Sequence, residues 1–350
     1  MSKYAITILC LSLASLPGLS QIKINNNSKV VGAGVISTTA VITNSSPNVD
    51  FSQLELQLLG DNDQQIDTSQ PMVLSALKVD QSGSTTLTGN LEVSGTIGLV
   101  NGIIRVGNSS TLLYSGSENP EGNSSSYIIG PLFRTAGGRI LFPVGTPSGY
   151  LPVLIENFNG NEIGVSASDG DVALTLPEGV ISYFTGHYWE FTDAPNSTVS
   201  LSLNGLDEFV SEGPPVVLGA DAISSPATLL SGALSTGFVT SIDNVTQKIA
   251  AIGRTAEFKL IIHDMITPFT IDDKNDRLTI ENIERVTENS VKLLDRWGVV
   301  VQQWENYSND TEYDFSKLSP GNYICIVEFA YPGESRRATV KGIVTVLKSN

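Results

Sequence analysis

The sequence predicts an all-β protein: a short β-helix-like or hairpin stack, then a β-sandwich, then a C-terminal Ig-like β-sandwich. Three observations carry this. Short aliphatic alternations recur along the chain, separated by Gly, Asn, Ser or Pro turns. Gly is abundant at 32 residues and Met scarce at 3, with Ser, Thr, Asn and Val filling many other positions, a composition suited to strands and tight turns. No window holds a sustained i, i+3, i+4 apolar stripe between caps, so long helices are not expected. A chain of 350 residues suits two or three domains, and 41% hydrophobic against 16% charged residues is enough to build real cores.

In order, residues 1–20 read as a signal peptide. Lys3 supplies the positive start, Ala5 to Leu16 an apolar stretch, Pro17-Gly18 a break, and small residues precede Gln21. The stretch is too short to span a bilayer comfortably. Cys10 lies inside it, so a lipid anchor there is not expected. Its removal leaves Cys325 as the one cysteine, so packing or ions must hold the exported chain in place of an intramolecular disulfide. Cys325 stands in an alternating strand and is expected to be a buried core thiol. No later segment is long and apolar enough to cross a membrane, and an integral membrane protein is not expected.

Residues 21–126 hold strand-like pieces such as Leu77-Lys78-Val79, Leu91-Glu92-Val93 and Leu112-Leu113-Tyr114, with Gly or Asn recurring between them. Parallel rungs need this pattern, and a series of hairpins shows much the same one. Residues 127–265 read as a cap and a β-sandwich. The cap is Tyr127-Ile128-Ile129-Gly130-Pro131-Leu132-Phe133-Arg134-Thr135 with Ile140-Leu141-Phe142-Pro143-Val144-Gly145. It is expected to cover the open strand edges of the stack, with Arg134 free to pair locally. About seven strand patterns follow, from Val153-Leu154-Ile155 onward, which suits a sandwich.

Net charge is −16. Residues 21–265 carry 9 Lys+Arg against 23 Asp+Glu, or −14, and residues 266–350 carry 10 against 13, or −3. Such a surface repels phosphate backbones, so no nucleic acid partner is expected. Enzyme chemistry finds little support. His187 and His263 stand apart, without zinc-binding spacing, and read as sheet or surface histidines; no nucleophile elbow or phosphate loop is present. No motif for an organic cofactor stands out, and calcium is the ion the sequence leaves open. Calcium is the one ion for which candidate ligands cluster: Asp61-Asn62-Asp63 with Asp67, and Asp272, Asp273, Asn275 and Asp276. Trp297, Trp304 and Tyr188-Trp189-Glu190-Phe191 are expected to pack on cores or sheet faces.

Residues 266–350 carry the most specific pattern. Lys292-Leu293-Leu294-Asp295-Arg296-Trp297-Gly298-Val299-Val300-Val301 predicts a hairpin, Leu318-Ser319-Pro320-Gly321-Asn322-Tyr323 a turn into a strand, and Val340-Lys341-Gly342-Ile343-Val344-Thr345-Val346-Leu347-Lys348 a final strand. Ile266-Thr267-Pro268, residues 272–276, Asp295-Arg296-Trp297-Gly298, Glu305-Asn306-Tyr307 and these last two motifs follow in order and at similar spacing. The set resembles the gliding-motility-associated C-terminal domain of Bacteroidetes, the type B sorting domain of the type IX secretion system. The upstream β-rich segments are similar in composition to other Bacteroidetes surface proteins. The resemblance implies delivery to the outer-membrane surface or medium, with the type IX outer-membrane translocon and its accessory proteins as partners. Recognition would fall on Leu318, Pro320, Gly321, Tyr323, Lys341, Gly342 and Lys348, by strand addition. The expected function is a non-enzymatic structural or adhesion-related component of a gliding-type surface assembly, with other cell-surface proteins as further partners. The alternative is a secreted carbohydrate-binding protein or glycoside hydrolase with the same sorting domain.

Overall fold

The aliphatic alternation of the first segment winds into parallel rungs. Ile22 lies opposite Ile42, Ile42 opposite Ile66, Leu56 opposite Leu77, Leu91 opposite Leu112, and Leu112 opposite Leu132, so each partner stands 20 to 24 residues further along. The structure is a computed structural model that describes residues 5–6, 21–25, 29–47, 49–135, 137–211, 213–255, 259–268, 275–286, 288–330 and 337–347. The continuous β-run Gln64–Val106 has 43 residues; drawn straight it would reach about 140 Å. It coils instead, pairing in parallel with Val41–Asn44, Asp50–Gly60, Thr111–Tyr114 and Ile128–Ile129. Parallel pairing throughout selects the rung reading over hairpins, whose neighbours would be antiparallel. Leu58, Val79, Leu87, Val93 and Leu112 fill the interior. Gly89 turns the run at φ +94°, where a Cβ would lie 2.0 Å from the Thr68 carbonyl oxygen of the preceding rung, so only glycine fits.

Residues 127–134 do not act as a lid. Ile128–Ile129 and Leu132–Arg134 are further rungs, parallel to Ile104-Arg105 and to Leu112–Tyr114. The edge is covered by Val144–Thr146, which pairs in parallel with Ile128–Ile129, and by Ile163–Asp169, which pairs antiparallel with Leu132–Arg134. At that strand the sheet changes from parallel to antiparallel and continues through His187–Phe191, Ile249–Thr255 and Pro215–Ala220. A second sheet runs Gly138–Phe142, Val153–Phe158, Val199–Ser202, Phe238–Thr240, Ala233–Ser235. Its inner residues Phe142, Val153, Leu201 and Val239 share one apolar cluster with the rungs and with Val165, Trp189 and Ile252. The antiparallel sheet is covered on its other face too, by a cluster around Val172, Leu218 and Ala251. That is why Pro215–Ala220 is buried at every position, where a one-sided strand would alternate. The one α-helix among the described residues is Asp207–Ser211.

The chain divides into two compact units, Met1–Ala256 and Glu257–Asn350. The expected break between residues 126 and 127 falls inside the first, whose core runs across it. The second begins before Ile266, because Leu260 sits in its core and Ile261–Ile262 pairs with Ile280–Glu281. Its main sheet has five strands, in the order Met265–Ile266, Arg337–Val346, Gly321–Ala330, Asn289–Leu294, Val300–Glu305. Val291, Leu293, Tyr323, Cys325 and Val327 face inward, against Leu278, Ile280, Ile283, Tyr307 and Phe315.

Candidate functional site

The expected recognition residues that are described fall on two adjacent strands of this sheet, Gly321–Ala330 and Arg337–Val346, and on the turn before the first of them. Leu318 is buried under the turn, Pro320 and Gly321 are exposed, and Tyr323 is buried with its hydroxyl donating to the Ser319 carbonyl at 2.8 Å. Lys341 is exposed; Gly342 faces inward opposite Cys325, where Ile262 lies 3.3 Å from the place a Cβ would take. Lys348 lies outside the described residues. Ile324 to Phe329 are paired on both sides and cannot accept a new strand, whereas Gly321, Asn322 and Tyr323 run past the neighbouring strand. On the final strand, Thr345 and Val346 have a second partner in Met265 and Ile266; residues 337–344 are paired on one side only among the described residues.

An apolar row crosses the outer face of the same sheet. Ile343 lies opposite Ile324, Ile324 opposite Leu294, and Leu294 opposite Val300. Ile343 is 64% exposed, Val300 47% and Ile324 42%. At the adjoining turn Trp297 is 82% exposed, which corrects the expectation that it packs. The Asp295 carboxylate accepts from the Trp297 and Val299 amides at 2.8 and 3.0 Å, and Gly298 takes φ +79°, so the turn directs the indole away from the sheet. Trp304 does pack, in a cluster with Tyr307, Tyr313 and Phe315. The sequence signal for the outer row was the unbroken apolar run Tyr323-Ile324-Cys325-Ile326-Val327, which leaves no polar face.

Sequence reasoning also missed the polar clamps of this unit. Asn289 binds Tyr307 through both amide atoms, at 2.7 and 3.0 Å. Asn309 similarly caps the Ile280 backbone from both sides, at 2.9 and 3.0 Å. Burial pushes the Cys325 thiol up to about 12 and raises the Tyr307 hydroxyl, which donates to the Leu278 carbonyl.

Elsewhere the candidate groups serve packing. Asp61 and Asp63 accept hydrogen bonds from Ser82 and Ser84, 21 residues on, and so tie adjacent rungs. Asp67 stands in a strand opposite Thr43. Asp272 and Asp273 lie outside the described residues; Asn275 is exposed and Asp276 half-buried. No group of three or more His, Cys, Asp or Glu side chains among the described residues could hold a metal. His263 is half-exposed, 2.8 Å from Glu281. His187 is buried against Phe184 and Trp189, and burial lowers its pKa to about 4. Arg134 is fully buried, its guanidinium 4.5 Å from the Tyr114 ring centre, and burial lowers its pKa to about 10.

The first unit also carries a groove of about 500 Å³ over the outer face of its second sheet. Its floor includes Leu141; Tyr150 and Phe238 supply half-buried rings, and Glu121, Arg139 and Asn204 reach in from exposed turns and the sheet edge.

Residues 260–346 match the CHU_C type IX secretion signal domain. No curated protein and no solved structure matches the chain. The matched segment coincides with the second unit from Leu260 to Val346 and contains the whole five-stranded sheet. The chain thus carries a type IX export signal, is handled by that secretion machinery, and is destined for the cell surface or extracellular space. No helix among the described residues is long and apolar enough to cross a membrane.

Proposed function

We propose that this exported chain is a non-enzymatic, structural or adhesion-related component of a surface assembly of the gliding type, with its C-terminal unit as the surface that the outer-membrane translocon and its accessory proteins read. The observation that supports the address reading most directly is the half-open final strand beside the apolar row of Ile343, Ile324, Leu294 and Val300. An open edge offers backbone partners to an added strand, and exposed aliphatics beside it offer the area that makes such pairing hold. Gly321, Tyr323, Lys341 and Gly342 all lie at or next to that edge.

The structural reading of the first unit is supported by its rungs joined through one core to a two-sided sheet. The strongly perturbed groups of this unit, Arg134 and His187, owe their shifts to burial. Neither needs a substrate to account for it.

Export is tested in the native host with residues 340–350 deleted, and separately with Ile343→Asp. Ile343 is exposed, so the aspartate leaves stability within about 0.5 kcal/mol. Both changes are expected to retain the protein in the periplasm; arrival of the deleted form at the surface would overturn the reading. Loss of surface attachment by cells that lack the chain, restored by the intact chain, tests the adhesion role.

A further inference from the structure

We infer that the groove over the second sheet of the first unit binds a neutral oligosaccharide, which deepens the adhesion reading above by naming the class of ligand the surface would hold. The inference rests on that reading for its biological use, but its site stands on the groove alone.

The groove has about 500 Å³, within the range of small-ligand sites. Its floor is a sheet whose strands Gly138–Phe142, Val153–Phe158, Val199–Ser202 and Phe238–Thr240 are already laddered to one another. The floor therefore presents side chains, and on the marginal strand Gly138–Phe142 the free edge is taken by Asn119, whose amide donates to the Arg139 carbonyl at 3.0 Å and accepts from the Leu141 amide at 2.8 Å, leaving a peptide nothing to pair with there. Those side chains are of two kinds. Leu141, Tyr150 and Phe238 give apolar surface, while Glu121, Arg139 and Asn204 give charged and amide groups that donate and accept. A sugar ring has this dual character, with an apolar face of C–H groups and a rim of hydroxyls that are donors and acceptors at once. A wholly apolar ligand would make no use of the carboxylate or of the guanidinium and amide groups that the rims leave over from their own bonds. A phosphorylated ligand would meet a unit that carries 8 Lys+Arg against 21 Asp+Glu, or −13, over residues 21–256.

The rims are held in place before any ligand arrives. Asn204 donates to the Tyr150 carbonyl at 3.0 Å, joining the two turns at one end of the groove. Arg139 is oriented by Glu156 at 3.0 Å. Gly122 lets the Tyr150 ring settle: a Cβ there would lie 3.0 Å from the ring and 2.9 Å from Pro143. Glu121 is exposed beside it.

The test uses the purified mature full chain, probed by calorimetry with cellohexaose, chitohexaose and mannohexaose, and with a neutral extended hexapeptide as comparison. Binding of at least one sugar is expected, with Phe238→Ala and Glu121→Gln each weakening it about tenfold. Glu121→Gln alters an exposed side chain and keeps the fold, so its effect on affinity stands even if Phe238→Ala disturbs the sheet. Absence of heat with all three sugars up to millimolar concentration overturns the inference. So does sugar binding that Glu121→Gln and Phe238→Ala leave unchanged, or binding of the hexapeptide in place of the sugars. Purified protein separates these outcomes from export and from whole-cell attachment, which test the proposed function itself.

Discussion

Replacing Arg134 by Met should destabilise the joint between the rungs and the antiparallel sheet by about 3 kcal/mol. Arg134 is fully buried in the rung Leu132–Arg134, directly opposite Tyr114. Its guanidinium donates to the Leu141 carbonyl at 2.9 Å, the Glu118 carbonyl at 3.0 Å, the Asn119 side-chain oxygen at 3.3 Å and the Gly116 carbonyl at 3.4 Å. Methionine keeps most of the apolar volume, so the change chiefly orphans acceptors, at about 1 to 3 kcal/mol each for those fully cut off from water. Counting the two shortest bonds gives about 2 to 6 kcal/mol. Release of the buried charge offsets part of this, since burying it is costly and the Nε meets no partner among the described residues. The assay is hydrogen exchange in increasing urea, followed in peptides covering Thr111–Tyr114 and Leu132–Arg134. Arg134→Lys should fall between wild type and Met, because one ammonium cannot reach acceptors spread over residues 116–119 and 141. An Arg134→Met protein whose opening free energy in these strands equals that of wild type would refute the claim that Arg134 knits them together.

Three more predictions follow from single groups. Folded His187 has a pKa of about 4 against 6.5 when unfolded, so the unfolded chain binds the extra proton between those values and stability falls as pH drops through that window. The loss is at most about 3 kcal/mol; thermal melts of the first unit between pH 7 and 4 should show it, and His187→Phe should flatten it. Asp63 and Asp171, whose carboxyls are lowered by hydrogen bonds, lose their contribution only below the ordinary Asp range, which keeps the two effects apart. Gly89→Ala should cost about 2 to 4 kcal/mol from left-handed strain and collision with the Thr68 carbonyl, read as a lowered urea midpoint. Cys325, buried and with its thiol pushed up to about 12, should resist iodoacetamide at pH 8 until the second unit unfolds; rapid labelling of the native protein would contradict its placement.

Much of the second unit was legible in the chain. Residues 289–305 form the hairpin that their two apolar runs and Gly298 predicted, and Cys325 and Trp304 lie against the core. Trp297 was not legible, because alternation says which residues share a face and is silent about a turn whose backbone is set by the Asp295 carboxylate. The outer apolar row was only half visible: Ile324 is apolar in sequence, but its alignment with Ile343 and Leu294 depends on register across three strands. The groove was not visible at all, since Glu121, Tyr150, Asn204 and Phe238 come from turns and edges far apart in the chain.

By itself the sequence determined that the protein is all-β, that its last 85 residues carry an export address, and that its surface is acidic, because these follow from local period, local motifs and composition. The tertiary structure alone decided that the early strands stack in parallel at 20 to 24 residues. It also decided that residues 132–134 pair in parallel with one neighbour and antiparallel with the other, and that Arg134 is buried there. Pairing is a contest between distant segments for the same backbone hydrogen bonds, and a period of two residues is the same whichever neighbour wins.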